Sequence, residues 1–177
     1  MYHENLCALA KLGEVVFFSP LVDRALPDAD LVYLPGGYPE LHLERLGTNR
    51  TMLNSIRQHI ENDCRLWAEC GAMLYLCESI ADTDGKVWPM AGIFRQKAAM
   101  QPMKLKLGYR LFEYNHAIFK GHEFHYSTLE NPLPSLVQQY NARGDAVATG
   151  LWRYKNALAS YTHLYWAENN NLLNLFS

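Results

Sequence analysis

Cys70 lies in Leu66-Trp67-Ala68-Glu69-Cys70-Gly71-Ala72-Met73-Leu74-Tyr75-Leu76, where an apolar, strand-like approach ends at a Glu-Cys pair, a glycine follows at once, and apolar residues resume at helical spacing. That order is the pattern of a nucleophile elbow. A strand-turn-helix junction pushes one side chain off the end of a sheet, and the following glycine lets the backbone turn tightly beneath it. Such a junction also puts the side chain at a helix N-terminus, where free N–H groups and the dipole favour a thiolate. On this stretch alone two readings stay open, a thiol nucleophile or a small apolar core residue; Glu69 and Gly71 are residues that a buried strand would not favour. A nucleophilic thiol needs a base, and His163, at the end of Ala159-Ser160-Tyr161-Thr162-His163-Leu164, is a candidate, although a lone histidine is more often structural. Pro35-Gly36-Gly37-Tyr38-Pro39-Glu40 also has two readings. It is either a tight turn or an oxyanion hole, in which the N–H groups of Gly37 and Gly71 meet over one oxygen. In Gly121-His122-Glu123-Phe124-His125-Tyr126-Ser127, strand alternation sends His122 and His125 to opposite faces, so no metal site is expected there.

Several elements must position these groups. Glu4 to Leu12 has helical spacing and stops at Gly13. Glu14 to Ser19 and Leu31 to Leu34 are short apolar runs suited to buried strands, with a loop rich in proline and aspartate between them. Gly36 and Gly37 then stand at the carboxyl end of a parallel strand, where ligands bind in open α/β sheets. A helical segment to Leu46 follows, and Asn49 to Asn62 reads as an amphipathic helix capped by Asn49 and leading into the Cys70 strand. Asp84-Gly85 signals a hairpin. Residues 103–114, 118–126, 147–154 and 157–166 read as strands, with Lys155-Asn156 as a turn, so the second half is β-rich and partly antiparallel. The piece from Asn169 to Phe176 is short and helix-like. Strands alternating with helices in the first half argue for an α/β fold with a parallel sheet.

At 177 residues the chain is long enough for a substantial core, and no linker or repeat divides it. With 16 basic and 18 acidic residues and no run of like charge, it carries no footprint for nucleic acid or a membrane surface. Cys7, Cys64, Cys70 and Cys77 show no C-x-x-C spacing, and neither a signal peptide nor an apolar run of membrane-spanning length is present. A reducing cytoplasm is therefore expected, with no disulfides and with Cys7, Cys64 and Cys77 as buried free thiols.

Leu34-Pro-Gly-Gly-Tyr-Pro-Glu40, Ala68-Glu-Cys-Gly71, Gly121-His-Glu-Phe-His-Tyr-Ser127 and Ser160-Tyr-Thr-His163 occur in register, and Phe18-Ser-Pro-Leu21 and Pro89-Met90 agree with them. Together they resemble the C-terminal glutamine amidotransferase domain of cobyrinate a,c-diamide synthases, a class I, triad-type amidotransferase, from Tyr2 to about Trp166. The resemblance implies a flavodoxin-like α/β fold, a mainly parallel sheet flanked by helices, with an antiparallel second half. It also implies that Cys70 attacks the side-chain amide of glutamine and forms a glutamyl thioester, that His163 activates the thiol and protonates the leaving ammonia, and that Gly37 and Gly71 supply the oxyanion hole. Tyr38, Glu40 and His125 lie in motifs suited to binding glutamine.

Under the same resemblance, residues 1–177 form one amidotransferase domain, a fragment lacking an upstream synthetase domain and a strand just before Tyr2. That synthetase would bind ATP, Mg²⁺ and the corrinoid cobyrinate, and the ammonia would amidate the a and c acetates of cobyrinate. No Gly-x-x-x-x-Gly-Lys-Ser/Thr occurs in this chain, so it carries no cofactor of its own in this reading. A related tetrapyrrole or cobyric acid amidating enzyme, a docking module inactive without its synthetase, and a metal-binding module are the alternatives. There are three departures from the family pattern. Pro35 and Ala72 replace glycines, and Tyr165 stands where many amidotransferases carry the glutamate that orients the histidine. The cobyrinate branch commonly lacks that glutamate, which leaves open what orients His163.

Overall fold

A computed structural model describes residues 2–166 and 172–177. Helix α1 (His3–Leu12) ends where Gly13 donates its N–H to the Leu9 carbonyl, with Gly13 in extended rather than left-handed backbone. Its buried Asn5 donates to the Leu164 carbonyl and accepts the Trp166 N–H, fastening the helix to the far end of the sequence. Strand β1 (Leu31–Leu34), a 3-10 turn (Pro39–Leu41), α2 (Leu43–Thr48), α3 (Arg50–Glu61), β2 (Arg65–Glu69) and the single-turn α4 (Gly71–Tyr75) follow. Asn49 caps α3 by accepting the Met52 N–H, and Met52, Leu53, Ile56 and Ile60 form its fully buried stripe.

The remaining strands are β3 (Cys77–Ala81), β4 (Val87–Pro89), β5 (Phe94–Ala99), β6 (Lys106–Tyr114), β7 (Ala117–His125), β8 (Thr128–Glu130), β9 (Gln139–Tyr140), β10 (Ala146–Val147), β11 (Leu151–Tyr154), β12 (Ala157–Ser160) and β13 (His163–Tyr165), with a closing 3-10 turn at Leu172–Phe176. The helix-like reading from Asn169 lies outside the described residues up to position 171. Three sheets result, in the orders β1-β2-β12-β11, β10-β9-β6-β7-β13 and β4-β3-β5-β8. β1, β2 and β12 run parallel, while β6, β7 and β13 are antiparallel. The β3–β4 hairpin closes at Asp82, whose carboxylate accepts the N–H groups of Asp84 and Lys86.

The first sheet is covered on both faces, which is why β2 is apolar at every position from Leu66 to Ala68. Leu66, Ala68, Ala157 and Ala159 pack with the α3 stripe, while Trp67 and Leu158 point the other way, onto Phe112, Phe119 and Leu164 of the antiparallel sheet. Among the described residues no helix is long and apolar enough to cross a membrane.

Four expectations need correction. The stretch 147–154 is not one strand; it parts at 148–150, between β10 of the antiparallel sheet and β11 of the first sheet. Glu14 to Ser19 is not a strand, and Val16 and Phe17 are exposed, because a strand exists by its ladder and this run meets no strand partner among the described residues. The stretch 157–166 is not one strand; it breaks at Tyr161-Thr162, where the chain leaves the parallel sheet for the antiparallel one. Cys77 is buried, but Cys7 is exposed and Cys64 half-buried.

Candidate active site

The elbow is built as its spacing requires. β2 delivers Cys70 with φ 49° and ψ −114°, a conformation that costs a residue bearing a Cβ and that a nucleophile elbow requires. The Cys70 N–H donates to the Ser160 carbonyl at 2.8 Å, locking the turn to β12. Gly71 is required by contact: a Cβ there would stand 2.1 Å from the Gly37 carbonyl oxygen and 2.6 Å from Cδ of Pro39. The two loops are thus packed backbone to backbone, which brings together the two glycines expected to form the oxyanion hole. Gly36, the other glycine expected at the carboxyl end of the strand, is held at φ 101°, and a Cβ on it would meet the His163 ring at 2.9 Å and the Glu69 carbonyl at 3.0 Å. The helix after the elbow is only one turn long, so it adds little dipole at Cys70.

His163 owes its place to the break between β12 and β13. Four buried residues hold it: Ser160 donates to the Gly150 carbonyl and accepts the Thr162 N–H, Thr162 donates to the Gln139 side-chain oxygen, and the Gln139 amide donates to Gly150 and Ser160. The chain therefore turns at Tyr161-Thr162 and sets His163 opposite His122 of β7. Gly121 of β7 leaves room for this crossing, since a Cβ there would lie 2.1 Å from the His163 carbonyl oxygen and 2.8 Å from the Thr162 methyl. Gly121→Ala is expected to cost about 1–3 kcal/mol and to displace His163. Urea denaturation and the rate of Cys70 alkylation should both register the change.

What orients His163 is Glu69, the residue immediately before the elbow cysteine. Its buried carboxylate stands 3.3 Å from Nδ1 of His163 and accepts from Tyr33 Oη (2.9 Å), Trp67 Nε1 (2.8 Å) and the Leu164 N–H (3.0 Å). Burial alone would lower the His163 pKa, but its hydrogen bonds and charge interactions with Cys70 and Glu69 outweigh that and raise it to about 9. Burial beside the same carboxylate pushes the Tyr33 hydroxyl well above its ordinary value, so it stays a donor. The order Glu69–His163–Cys70 is that of a carboxylate, an imidazole and a nucleophile. One signal was available in the sequence: a glutamate closing an apolar strand is buried, and a buried carboxylate must have partners.

A cavity of about 380 Å³ opens over these groups, and Cys70, His163, Gly37, Gly71, Tyr38, Glu40 and His125 all line it. The structure thus gathers every expected site residue in one place. They are not equivalent there. Tyr38 is exposed. His125 is buried, stacked on Tyr161 with ring centroids 3.5 Å apart, and both of its nitrogens already face acceptors, the Ser127 carbonyl (2.9 Å) and a Glu123 oxygen (2.6 Å). It therefore forms wall rather than offering a free donor.

Behind that wall Glu123 also accepts from Arg110 and Thr149. Burial would raise its carboxyl, but the hydrogen bonds of His125 and Thr149 and the charge of Arg110 hold it down at about 2. This group therefore contributes stability above its ordinary value near 4.5, and that contribution is lost as pH falls toward 2. Glu123→Gln leaves a buried guanidinium without its counter-charge and is expected to cost about 3–5 kcal/mol, with a flattened acid limb in a pH series of urea melts. His122 lines the same cavity: Tyr2 Oη lies 2.6 Å from its Nδ1, and its ring stacks on His163 at 4.9 Å.

Residues 1–171 match the family model described as the CobB/CobQ-like glutamine amidotransferase domain. The chain is 41% identical over 170 residues to a hydrogenobyrinate a,c-diamide synthase of Pseudomonas aeruginosa, covering 96% of this chain and 39% of that protein. A cobyrinate a,c-diamide synthase of Salmonella typhimurium is 34% identical over 184 residues, covering 97% and 40%. The chain thus spans about two fifths of the length of the curated relatives it matches. Among solved structures, a glutamine amidotransferase superposes with a TM-score of 0.58 at 17% identity, covering 97% of this chain and 92% of that one. PurLQS from Thermotoga maritima superposes at 0.56 and 13% identity, covering 97% and 84%. These likenesses show the glutamine amidotransferase fold.

Proposed function

Because the chain belongs to the CobB/CobQ-like glutamine amidotransferase domain family, we propose that it hydrolyses glutamine at Cys70 and passes the ammonia to an ATP-dependent domain that amidates the a and c acetates of cobyrinate or hydrogenobyrinate. The observation that carries the reading is the run Glu69–His163–Cys70 at a strained elbow facing a cavity.

His163 takes the thiol proton and Glu69 steadies the resulting imidazolium. The Cys70 sulfur adds to the amide carbon of glutamine, and the oxyanion is held by backbone N–H groups of the Gly37 and Gly71 loops. The intermediate collapses by breaking the C–N bond, with the imidazolium proton going to the leaving nitrogen, so that ammonia departs and a glutamyl thioester remains. Water, deprotonated by His163, then cleaves the thioester to glutamate and regenerates the thiol. Tyr38 and Glu40 are candidates for gripping the α-amino and α-carboxylate groups of glutamine.

ATP and Mg²⁺ belong to the amidation step. No step derived for Cys70, Glu69 and His163 runs through either of them. Incubation with amide-¹⁵N glutamine tests the proposal. Labelled ammonia and glutamate released in equal amounts are expected; no release, together with an unreactive Cys70, would overturn the reading.

A further inference from the structure

In a sheet with one covered face, apolar side chains turn inward and polar ones outward. β6 and β7 do the reverse over half their length. Arg110, Glu123 and His125 are buried, whereas Leu107, Tyr109, Leu111 and Phe124 face outward, Tyr109 at 72% exposure and Leu107 at 63%. The ladder makes this one surface: Leu107 lies opposite Phe124, Tyr109 opposite His122, and Leu111 beside exposed Tyr140 of β9. Lys120, opposite Leu111, marks its polar rim. A contiguous apolar face of this kind marks an interaction site.

The face runs into the cavity. Phe124, His122 and Tyr126, which share the outward side of β7 and its continuation, also line the space over Cys70, and the Phe124 carbonyl accepts the Cys70 thiol. A body seated on Leu107, Tyr109 and Phe124 would therefore close the cavity rim. Ammonia that leaves this rim into water is diluted and mostly protonated to ammonium, which is not nucleophilic, so a body sealing the rim would deliver it at far higher effective concentration. The synthases matched here are about two and a half times as long as this chain, and their other three fifths is a body of suitable size.

We propose that the outward face of β6 and β7 docks the amide-forming remainder of the synthase, sealing the Cys70 cavity against it; this rests on the amidotransferase reading above. The test joins the chain to the remainder of the Pseudomonas aeruginosa synthase, in place of the region it matches, with and without the double change Leu107→Lys and Tyr109→Lys. Neither residue lines the cavity. In the isolated chain, alkylation of Cys70 by a diazo-ketone glutamine analogue should stay within roughly twofold of the parent. In the joined enzyme, glutamine-driven corrinoid amidation should fall roughly tenfold or more while ammonium-driven amidation persists. Hydroxyl-radical footprinting of the parent should show Tyr109 and Phe124 protected in the joined enzyme and reactive in the isolated chain. Glutamine-driven turnover unchanged by the lysines, or equal reactivity of the two rings in both forms, would overturn the proposal. So would protection already present in an isolated dimer that the lysines split, since the occupant would then be a second copy. If Cys70 fails to label in either form, the catalytic reading fails, and the footprint still decides the docking.

Discussion

Cys70→Ser should abolish ammonia release, by on the order of 10⁴-fold or more, while leaving the fold in place. The substitution keeps nearly the same shape at a buried position, and a serine hydroxyl can still donate to the Phe124 carbonyl as the thiol does. The φ of 49° is no harder for serine than for cysteine. The loss is therefore chemical, since His163 at about 9 can accept a proton from a thiol but leaves an alcohol almost wholly protonated. Unchanged urea melts with no turnover are the expected pair of results. Turnover retained within tenfold would remove Cys70 from the mechanism.

The second large effect is expected at Glu69. Its two oxygens accept from Tyr33, Trp67, the Leu164 N–H and His163. In Glu69→Gln one oxygen becomes an NH₂ group, and either way the amide flips it meets a donor. Facing Leu164 and Trp67, it sets donor against donor at two buried N–H groups; facing His163, it forces the ring into the wrong tautomer. A fall in rate of roughly 10²- to 10⁴-fold is expected, as when the carboxylate behind a catalytic histidine is neutralised elsewhere.

A pH signature separates this role from a purely structural one. The His163 pKa is raised in the fold from 6.5 to about 9, so its protonated form contributes stability in full below 6.5, and the contribution fades as pH rises through about 9. Without the Glu69 charge the raised value falls, and the alkaline edge of stability moves to lower pH. Urea melts across that interval, together with the pH profile of Cys70 alkylation, would show both shifts. An unmoved alkaline edge would mean that Glu69 does not act on His163.

The elbow was legible because three local demands coincide within three residues: a strand must end, a side chain must stand out, and the next residue must lack a Cβ where Gly71 meets the Gly37 carbonyl. Helix α3 was legible from its apolar period and the Asn49 cap. The break that carries His163 was not, since Ser160-Tyr-Thr-His163 has the alternation of one continuous strand and is interrupted by Gln139, more than twenty residues earlier. Glu14 to Ser19 failed in the opposite sense, because apolarity gives a strand no neighbour to pair with. Cys7 was placed inside on residue type alone, but it lies on an exposed face of α1, beside His3. Glu69 was seen as a flank of the nucleophile; its partnership with a residue 94 positions away becomes visible only once β12 lies beside β2.

The most direct test of the account is competitive alkylation of the whole chain with a diazo-ketone glutamine analogue, with the modified peptides mapped by mass spectrometry. Accessibility alone would rank exposed Cys7 and half-buried Cys64 ahead of Cys70 and Cys77. The account predicts the reverse, with modification confined to Cys70, prevented by free glutamine and slowed by Glu69→Gln. Modification that follows exposure, with Cys70 no faster than Cys77 and indifferent to glutamine, would contradict it.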